Sequence, residues 1–321
     1  MQAYPIAGTT TDTSRIALGC MQLSRAWDGA PTTAEEQART DALVDAALEC
    51  GITLFDHADI YARGKSETLF GHSLRRRTGL RDQLVLQSKC GIRFAGDPDA
   101  DAPGRYDFSR AHIIASVEGS LRRLQTDRLD ILLLHRPDPL MQPAEVARAF
   151  DDLQRDGKVL HFGVSNHTGM QIALLRRHIR QPLVANQVEL NLLHYALVDE
   201  GITFNQSAAT GCVGSGTLDA CRLHDIRVQA WSPLANGRLA APRTEAEAAT
   251  ALRVRQLAGA YGVSDEAILL AWLLRHPAGI QPVVGTTNVQ RLRACCDADR
   301  IDLTRTQWYA LFTAARGTAV P

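Results

Sequence analysis

The chain has no charge of either sign to spare: 35 Lys and Arg balance 35 Asp and Glu over 321 residues. Without a basic excess or stripe, nothing is available to neutralise a run of phosphates, so no nucleic-acid partner is expected. No apolar run approaches the roughly 20 residues needed to cross a bilayer, and no membrane partner is expected either. The opening Met1-Gln-Ala-Tyr-Pro-Ile-Ala-Gly8 lacks the charged and apolar regions of a secretion signal. Cysteine is sparse and odd in number, seven thiols scattered along the chain, which suits a reducing, cytoplasmic setting rather than a disulfide scaffold. Metal spacings are missing: there is no His-Glu-x-x-His and no Cys-x-x-Cys, and Cys295-Cys296 has no His beside it, so no metal is expected. No Gly-x-Gly-x-x-Gly follows an apolar run. Gly211-Cys-Val-Gly214-Ser-Gly216 has its glycines in the wrong order and reads as a loop ahead of a helix near Leu218.

What the chain does have is alternation. Short aliphatic or β-branched runs fall at Arg15–Cys20, Ile52–Asp56, Gln83–Lys89, Leu129–His135, Val159–Val164, Leu183–Val188, Ile226–Trp231 and Ile280–Gly285. Longer stretches with helical spacing lie between them, such as Glu35–Cys50, Ser66–Arg77, Ser109–Leu124 and Pro143–Asp156. Several runs are apolar throughout, as expected of strands buried on both faces. Eight strands with intervening helices and no Pro-, Gly- or Ser-rich linker predict one closed (β/α)8 TIM barrel spanning residues 1–321 as a single domain. An open doubly wound sheet shows the same alternation and is the rival. Two additions are expected: an N-terminal β-hairpin turning near Gly8 beneath the barrel floor, and two extra helices before the last strand, within Thr244–His276.

Parallel barrel strands deliver their C-terminal residues to one mouth. At or just past three successive strand ends stand Asp56 with Tyr61, then Lys89, then His135. A phenol titrates near ~10, too high for easy proton exchange at neutral pH. An adjacent ammonium lowers that value, and a carboxylate keeps the ammonium charged. His135 can orient a carbonyl oxygen or relay the proton. Singly, each has an ordinary reading as a cap, a packed ring, a solvated amine or a structural imidazole. Together they compose a general acid for reducing a C=O group.

The later strands end in groups suited to a nucleotide. Ser165-Asn166 and Gln187 bring a hydroxyl and two amides that can bond a carboxamide. Trp231 with Ser232 and Leu234 offers a ring to stack on a flat heterocycle, and Arg238 follows in the same loop. Gly285-Thr286-Thr287-Asn288 opens a helix carrying Arg291, a start suited to phosphate and equally an ordinary N-cap.

These segments resemble the aldo-keto reductases. Phe55-Asp56-His-Ala-Asp-Ile-Tyr61, Ser88-Lys89, Leu134-His135-Arg-Pro-Asp, Gly163-Val-Ser165-Asn166, Gln187, Trp231-Ser232-Pro-Leu234 and Gly285-Thr-Thr-Asn288 with Arg291 occur in the family's order, from about Arg15 to Ala298. The resemblance implies a (β/α)8 barrel binding NADPH without a Rossmann fold. It implies hydride transfer from nicotinamide C4 to a carbonyl carbon, with Tyr61 protonating the oxygen, Lys89 and Asp56 tuning it, and His135 orienting the substrate. By the same resemblance Ser165, Asn166 and Gln187 hold the carboxamide, Trp231 stacks on the nicotinamide, and Arg291 with its neighbours grips the 2′-phosphate. Two positions depart from the pattern: Trp231, where Tyr or Phe is frequent, and Ala294-Cys295, where the family places adenine-binding acid or amide side chains. The expected partner is a small-molecule carbonyl compound, with no obligate protein partner.

Substrate choice is expected in the mouth loops Met21–Ala30, Phe94–Phe108, Pro137–Gln142 and Asn191–Ser215, with Phe94, Tyr106 and Phe108 as candidate apolar walls. Two other functions stay in view: a nucleotide-binding, redox-sensing regulatory subunit with slow turnover, and a barrel aldolase forming a Schiff base on Lys89. The aldolase gives Ser165, Asn166, Gln187 and Trp231 nothing to do.

Overall fold

The computed structural model describes residues 1–204, 206 and 216–321. Ala3–Pro5 (β1) pairs antiparallel with Asp12–Ser14 (β2), the hairpin expected around Gly8. Ile6, at its turn, is 5% exposed and packs in an inner cluster with Leu54, Val85, Ile131, Val184 and Val283 from five barrel strands. The hairpin thereby plugs the floor.

The barrel strands are Ala17–Gly19 (β3), Leu54–Asp56 (β4), Val85–Cys90 (β5), Leu129–Leu134 (β8), Val159–Ser165 (β9), Leu183–Glu189 (β10), Arg227–Trp231 (β11) and Gln281–Val284 (β12). Each pairs in parallel with the next, and β12 closes on β3 through Val283↔Ala17 and Val284↔Leu18. All eight fall on the expected runs, and closure disposes of the open-sheet rival. Gly163 shows why small residues recur inside: a Cβ there would sit 2.6 Å from the Ala185 carbonyl oxygen.

The helices are Ala34–Glu49 (α1), Lys65–Arg76 (α2), Arg110–Leu124 (α3), Pro143–Arg155 (α4), Gly169–Arg176 (α5), Ala196–Thr203 (α6), Thr217–Leu223 (α7), Glu245–Tyr261 (α8), Asp265–Leu274 (α9), Val289–Cys296 (α10) and Arg305–Arg316 (α11). Their starts follow local chemistry. Thr33 and Glu36 form a capping box on α1, Ser109 caps α3, and Pro143 opens α4. The two extra helices expected before the last strand are α8 and α9. Every residue of α9 from Ala267 to Leu274 is buried.

Two helices escape the sequence reading. α6 occupies part of what reads as a mouth loop. α11 closes the chain, its Trp308 stacked 5.2 Å from Trp272 and its Arg316 paired with Asp199 at 2.8 Å. Its signal was present: Thr304 and Gln307 form a capping box ahead of Trp308, Leu311 and Phe312.

The 94–108 stretch is pinned rather than free. Ile92–Arg93 (β6) pairs with Arg105–Tyr106 (β7), and Arg93 bonds Asp107 at 2.7 Å. Residues 205 and 207–215, most of the Gly211–Gly216 loop among them, lie outside the described residues. Among the described residues, no single helix is long and apolar enough to cross a membrane.

Candidate active site

The parallel ladder continues beyond the strands and sets the candidate catalytic groups in place. The backbone N–H groups of His57, Asp59 and His135 donate to the carbonyls of Gln87, Lys89 and Cys90 at 2.8, 3.0 and 2.9 Å. Asp56, Lys89 and His135 therefore reach one end of the barrel. Tyr61 is turned in by a tight 3₁₀ segment in which Ala62, Arg63 and Gly64 take φ of 49°, 55° and 86° in succession. Left-handed backbone at two residues with a Cβ costs of order 1–3 kcal/mol each and is held only where the surroundings impose it. Glycine is required at 64 for a second reason: a Cβ there would meet the Arg123 Cδ at 2.6 Å.

Lys89 is 1% exposed, and its three ammonium protons have three acceptors: Asp56 Oδ2 at 2.7 Å, the His57 carbonyl at 2.9 Å and the Tyr61 hydroxyl oxygen at 2.9 Å. An ammonium has three donors, so its capacity is met. Burial works against its charge, yet Asp56 and Tyr61 outweigh that and raise its pKa. The phenol behaves differently from the expectation. Lys89 pulls the Tyr61 pKa down, as anticipated, but burial pushes harder and the net direction is upward, keeping the hydroxyl protonated.

His135 stands edge-on to Tyr61, with ring centres 6.0 Å apart. Burial first, then the charges of Lys89 and Arg136, hold its pKa well below 6.5, so it is a neutral imidazole. Behind Asp56 runs a ladder that sequence reasoning missed. The Gln87 and Gln187 amides both donate to Asp56 Oδ1, at 2.6 and 3.1 Å. Both also donate to Gln229, which donates in turn to Gln87 and Gln281. Gln281 reaches Thr13 and the Ser14 carbonyl in the floor hairpin. Its signal was a glutamine within each of the runs that form β5, β11 and β12. The carboxylate thus has donors on both oxygens.

The later strand ends gather around the same opening. Ser165, Asn166, Gln187, Trp231, Ser232, Leu234, Gly285, Thr286 and Arg291 all line one cavity of about 860 Å³ that also contains Asp56, Tyr61 and His135. Asn166, at φ 61°, donates to the His135 carbonyl and to Ser165, and accepts the Trp231 indole N–H at 3.1 Å. The indole is therefore fixed at the cavity edge. Positive φ at Ser232, Ala235 and Asn236 curls the next segment along the rim.

Three cofactor candidates stand elsewhere. Arg238 is turned to Glu247, with which it makes an ion pair. Thr287 lies beside Arg25, 3.3 Å away, in a small adjoining crevice. Asn288 caps α10 by accepting the Arg291 N–H. Arg291 itself is exposed and 3.4 Å from Glu266. At the departure noted in the sequence, Cys295 is fully buried and presents no polar group to the cavity. The candidate aromatic walls do not form. Phe108 is buried and stacked on His167, Phe94 lies under Arg63, and the cavity is lined instead by Trp27, Ile60 and Ile92.

A protonated phenol, bonded by a buried ammonium and open to a cavity of this size, can deliver a proton to a small bound molecule. Comparison with known proteins agrees with that chemistry. Residues 15–314 match the model of the Aldo/keto reductase family. The chain is 37% identical to the 6-dehydroglucose reductase of Agrobacterium fabrum, over 96% of each chain. It is 39% identical to the oxidoreductase YdhF of Escherichia coli, over 87% of this chain and 88% of that one. In fold it matches the solved glycerol dehydrogenase of Gluconobacter oxydans with a TM-score of 0.81 at 24% identity, covering 99% and 96% of the two chains.

Proposed function

The chain belongs to the aldo/keto reductase family, and from that premise we propose that it is an NADPH-dependent carbonyl reductase with Tyr61 as general acid. The observation that carries the reading is the relay Asp56–Lys89–Tyr61, at 2.7 and 2.9 Å. When bound, the reduced nicotinamide supplies the hydride taken up at the carbonyl carbon. Tyr61 gives its proton to the carbonyl oxygen, and Lys89 stabilises the phenolate left behind. Asp56, bonded by the Gln87 and Gln187 amides, keeps Lys89 charged. His135, being neutral, offers a ring N–H that orients the same oxygen. The reverse oxidation uses the same groups.

The chain's residues fit such a cofactor. Trp231 is braced by Asn166 as a flat surface beside Tyr61, and Ser165 and Gln187 flank it. The cavity, of about 860 Å³, extends from there to Gly285, Thr286 and Arg291. Arg291, with Thr286 beside it in the cavity, is the group for a 2′-phosphate; Thr287, turned to Arg25, Asn288, capping the helix, and Arg238, paired with Glu247, join only by turning toward it. Arg291→Ala is expected to raise the Kd of NADPH by tenfold or more, about 1.4 kcal/mol, and to change NADH little. Fluorescence titration of both cofactors checks this; equal losses would remove the 2′-phosphate assignment.

Residues 1–321 are read as one domain acting in the cytoplasm on a small molecule. The six described cysteines are all free thiols, which suits a reducing compartment. The test is NADPH consumption with a panel of aldehydes and ketones, sugar aldehydes included. Turnover is expected. Quenching of tryptophan fluorescence by NADPH without turnover on any carbonyl would instead leave a nucleotide-binding protein.

A further inference from the structure

Arg136 follows His135 at the mouth of the barrel and lines the cavity with Tyr61, His135 and Trp231. Its guanidinium lies 5.8 Å from the centre of the Trp231 ring, near the outer limit of a cation–π contact. Among the described residues its side chain makes no hydrogen bond and no ion pair. The ten residues outside them, 205 and 207–215, contain no Asp or Glu, so no carboxylate can reach it from there. Other guanidinium groups around the mouth are taken. Arg63 donates to the Trp27 carbonyl and covers Phe94, Arg93 pairs with Asp97 and Asp107, and Arg291 pairs with Glu266. Of the described basic residues lining the cavity, Arg136 alone lacks an acid. A half-buried arginine normally has one, because its planar fork is built for a carboxylate.

We propose that Arg136 is the anchor for a carboxylate on the substrate, making the preferred substrate an aldehyde or ketone that also carries an acid group. This rests on the carbonyl-reductase reading. The carbonyl meets Tyr61 and His135, and the acid meets the next residue along the chain. Met21, Trp27, Ile60 and Ile92 line the same cavity, so the skeleton joining the two groups is apolar. The charge also helps keep His135 neutral, and a bound carboxylate would offset that.

The test compares para-carboxybenzaldehyde with its methyl ester, which share ring and aldehyde. Wild type is expected to favour the acid by about tenfold to a hundredfold in kcat/KM, the span of a charge-assisted hydrogen bond. Arg136→Met should lower that acid-to-ester ratio at least tenfold, mainly through KM of the acid. Arg136→Lys, which keeps the charge but not the fork, should give an intermediate ratio and serves if the Met variant does not fold. A ratio unmoved by either substitution overturns the inference alone. Equal loss on both aldehydes, with NADPH affinity falling too, assigns Arg136 to steadying Trp231 and overturns it as well. Reduction of neither aldehyde by a wild type that turns over other carbonyls overturns this inference alone, whereas no turnover on any carbonyl overturns the reductase reading and this inference with it.

Discussion

Lys89→Met is expected to cost the enzyme about 10²-fold or more in kcat/KM and about 3–5 kcal/mol in stability, two losses with separate causes. The catalytic loss follows from removing the cation that stabilises the Tyr61 phenolate, since positioned proton transfer contributes about 10²–10⁴-fold. The stability loss follows from burial. Asp56 is 2% exposed and keeps only its amide partners once the ammonium 2.7 Å away is gone. Removing one member of a buried pair strands the other charge, at about 3–5 kcal/mol. Adding Asp56→Asn removes the stranded charge, so the double variant should recover most of the stability and none of the activity. Urea unfolding beside steady-state kinetics separates the two. A double variant as unstable as Lys89→Met would mean that packing, not charge, is what Lys89 contributes.

The second large effect is acid lability. His57 is fully buried, neither ring nitrogen has a hydrogen-bond partner among the described residues, and burial, reinforced by Lys89, drops its pKa to about 3. His167 is driven by burial to about 4, although its bond to the Ser165 carbonyl works the other way. In the unfolded chain both titrate near 6.5. As pH falls through 6.5 the unfolded chain takes up protons first, so stability present at neutral pH is lost progressively down to about 4. A tenfold difference in proton affinity between folded and unfolded chain is worth about 1.4 kcal/mol, so the two histidines together amount to several kcal/mol. Asp59 opposes them. Burial, with Glu67 adding repulsion, raises its carboxyl to about 7. Its contribution therefore improves as pH falls from 7 toward 4. Urea midpoints from pH 7 to pH 4 should fall for wild type, fall less for His57→Phe and fall more for Asp59→Asn. Identical slopes for wild type and His57→Phe would show that His57 does not carry the effect.

How much of this was legible in the residues depended on what each feature needs. Barrel strands were readable because burial on both faces writes a continuous apolar run, and a polar residue at its end marks the mouth. Asp56, Lys89 and His135 stood out that way, and Tyr61 by lying just past the end of the same run as Asp56. The glutamine ladder was not, because a single amide inside an apolar run means nothing until the strands close and bring Gln87, Gln229 and Gln281 together. That the Tyr61 pKa rises rather than falls also needed the fold, since the ammonium was visible in the sequence but the burial opposing it was not. Arg238 and Phe108 show the remaining limit. Both stand in or beside loops at the mouth, but orientation depends on partners elsewhere in the fold, Glu247 for one and His167 for the other. α11 was missed for a simpler reason: its capping box lies beyond the last recognisable segment.

The central claim is that Tyr61, tuned by its buried neighbours, is the acid of a carbonyl reduction driven by NADPH. Its most direct test is NADPH oxidation by wild type beside Tyr61→Phe with the best substrate of the panel, cofactor affinity being measured in parallel. Wild type should turn over and the variant should lose about 10²–10⁴-fold, with NADPH still quenching tryptophan fluorescence in both. A Tyr61→Phe enzyme that turns over within a few-fold of wild type would contradict it.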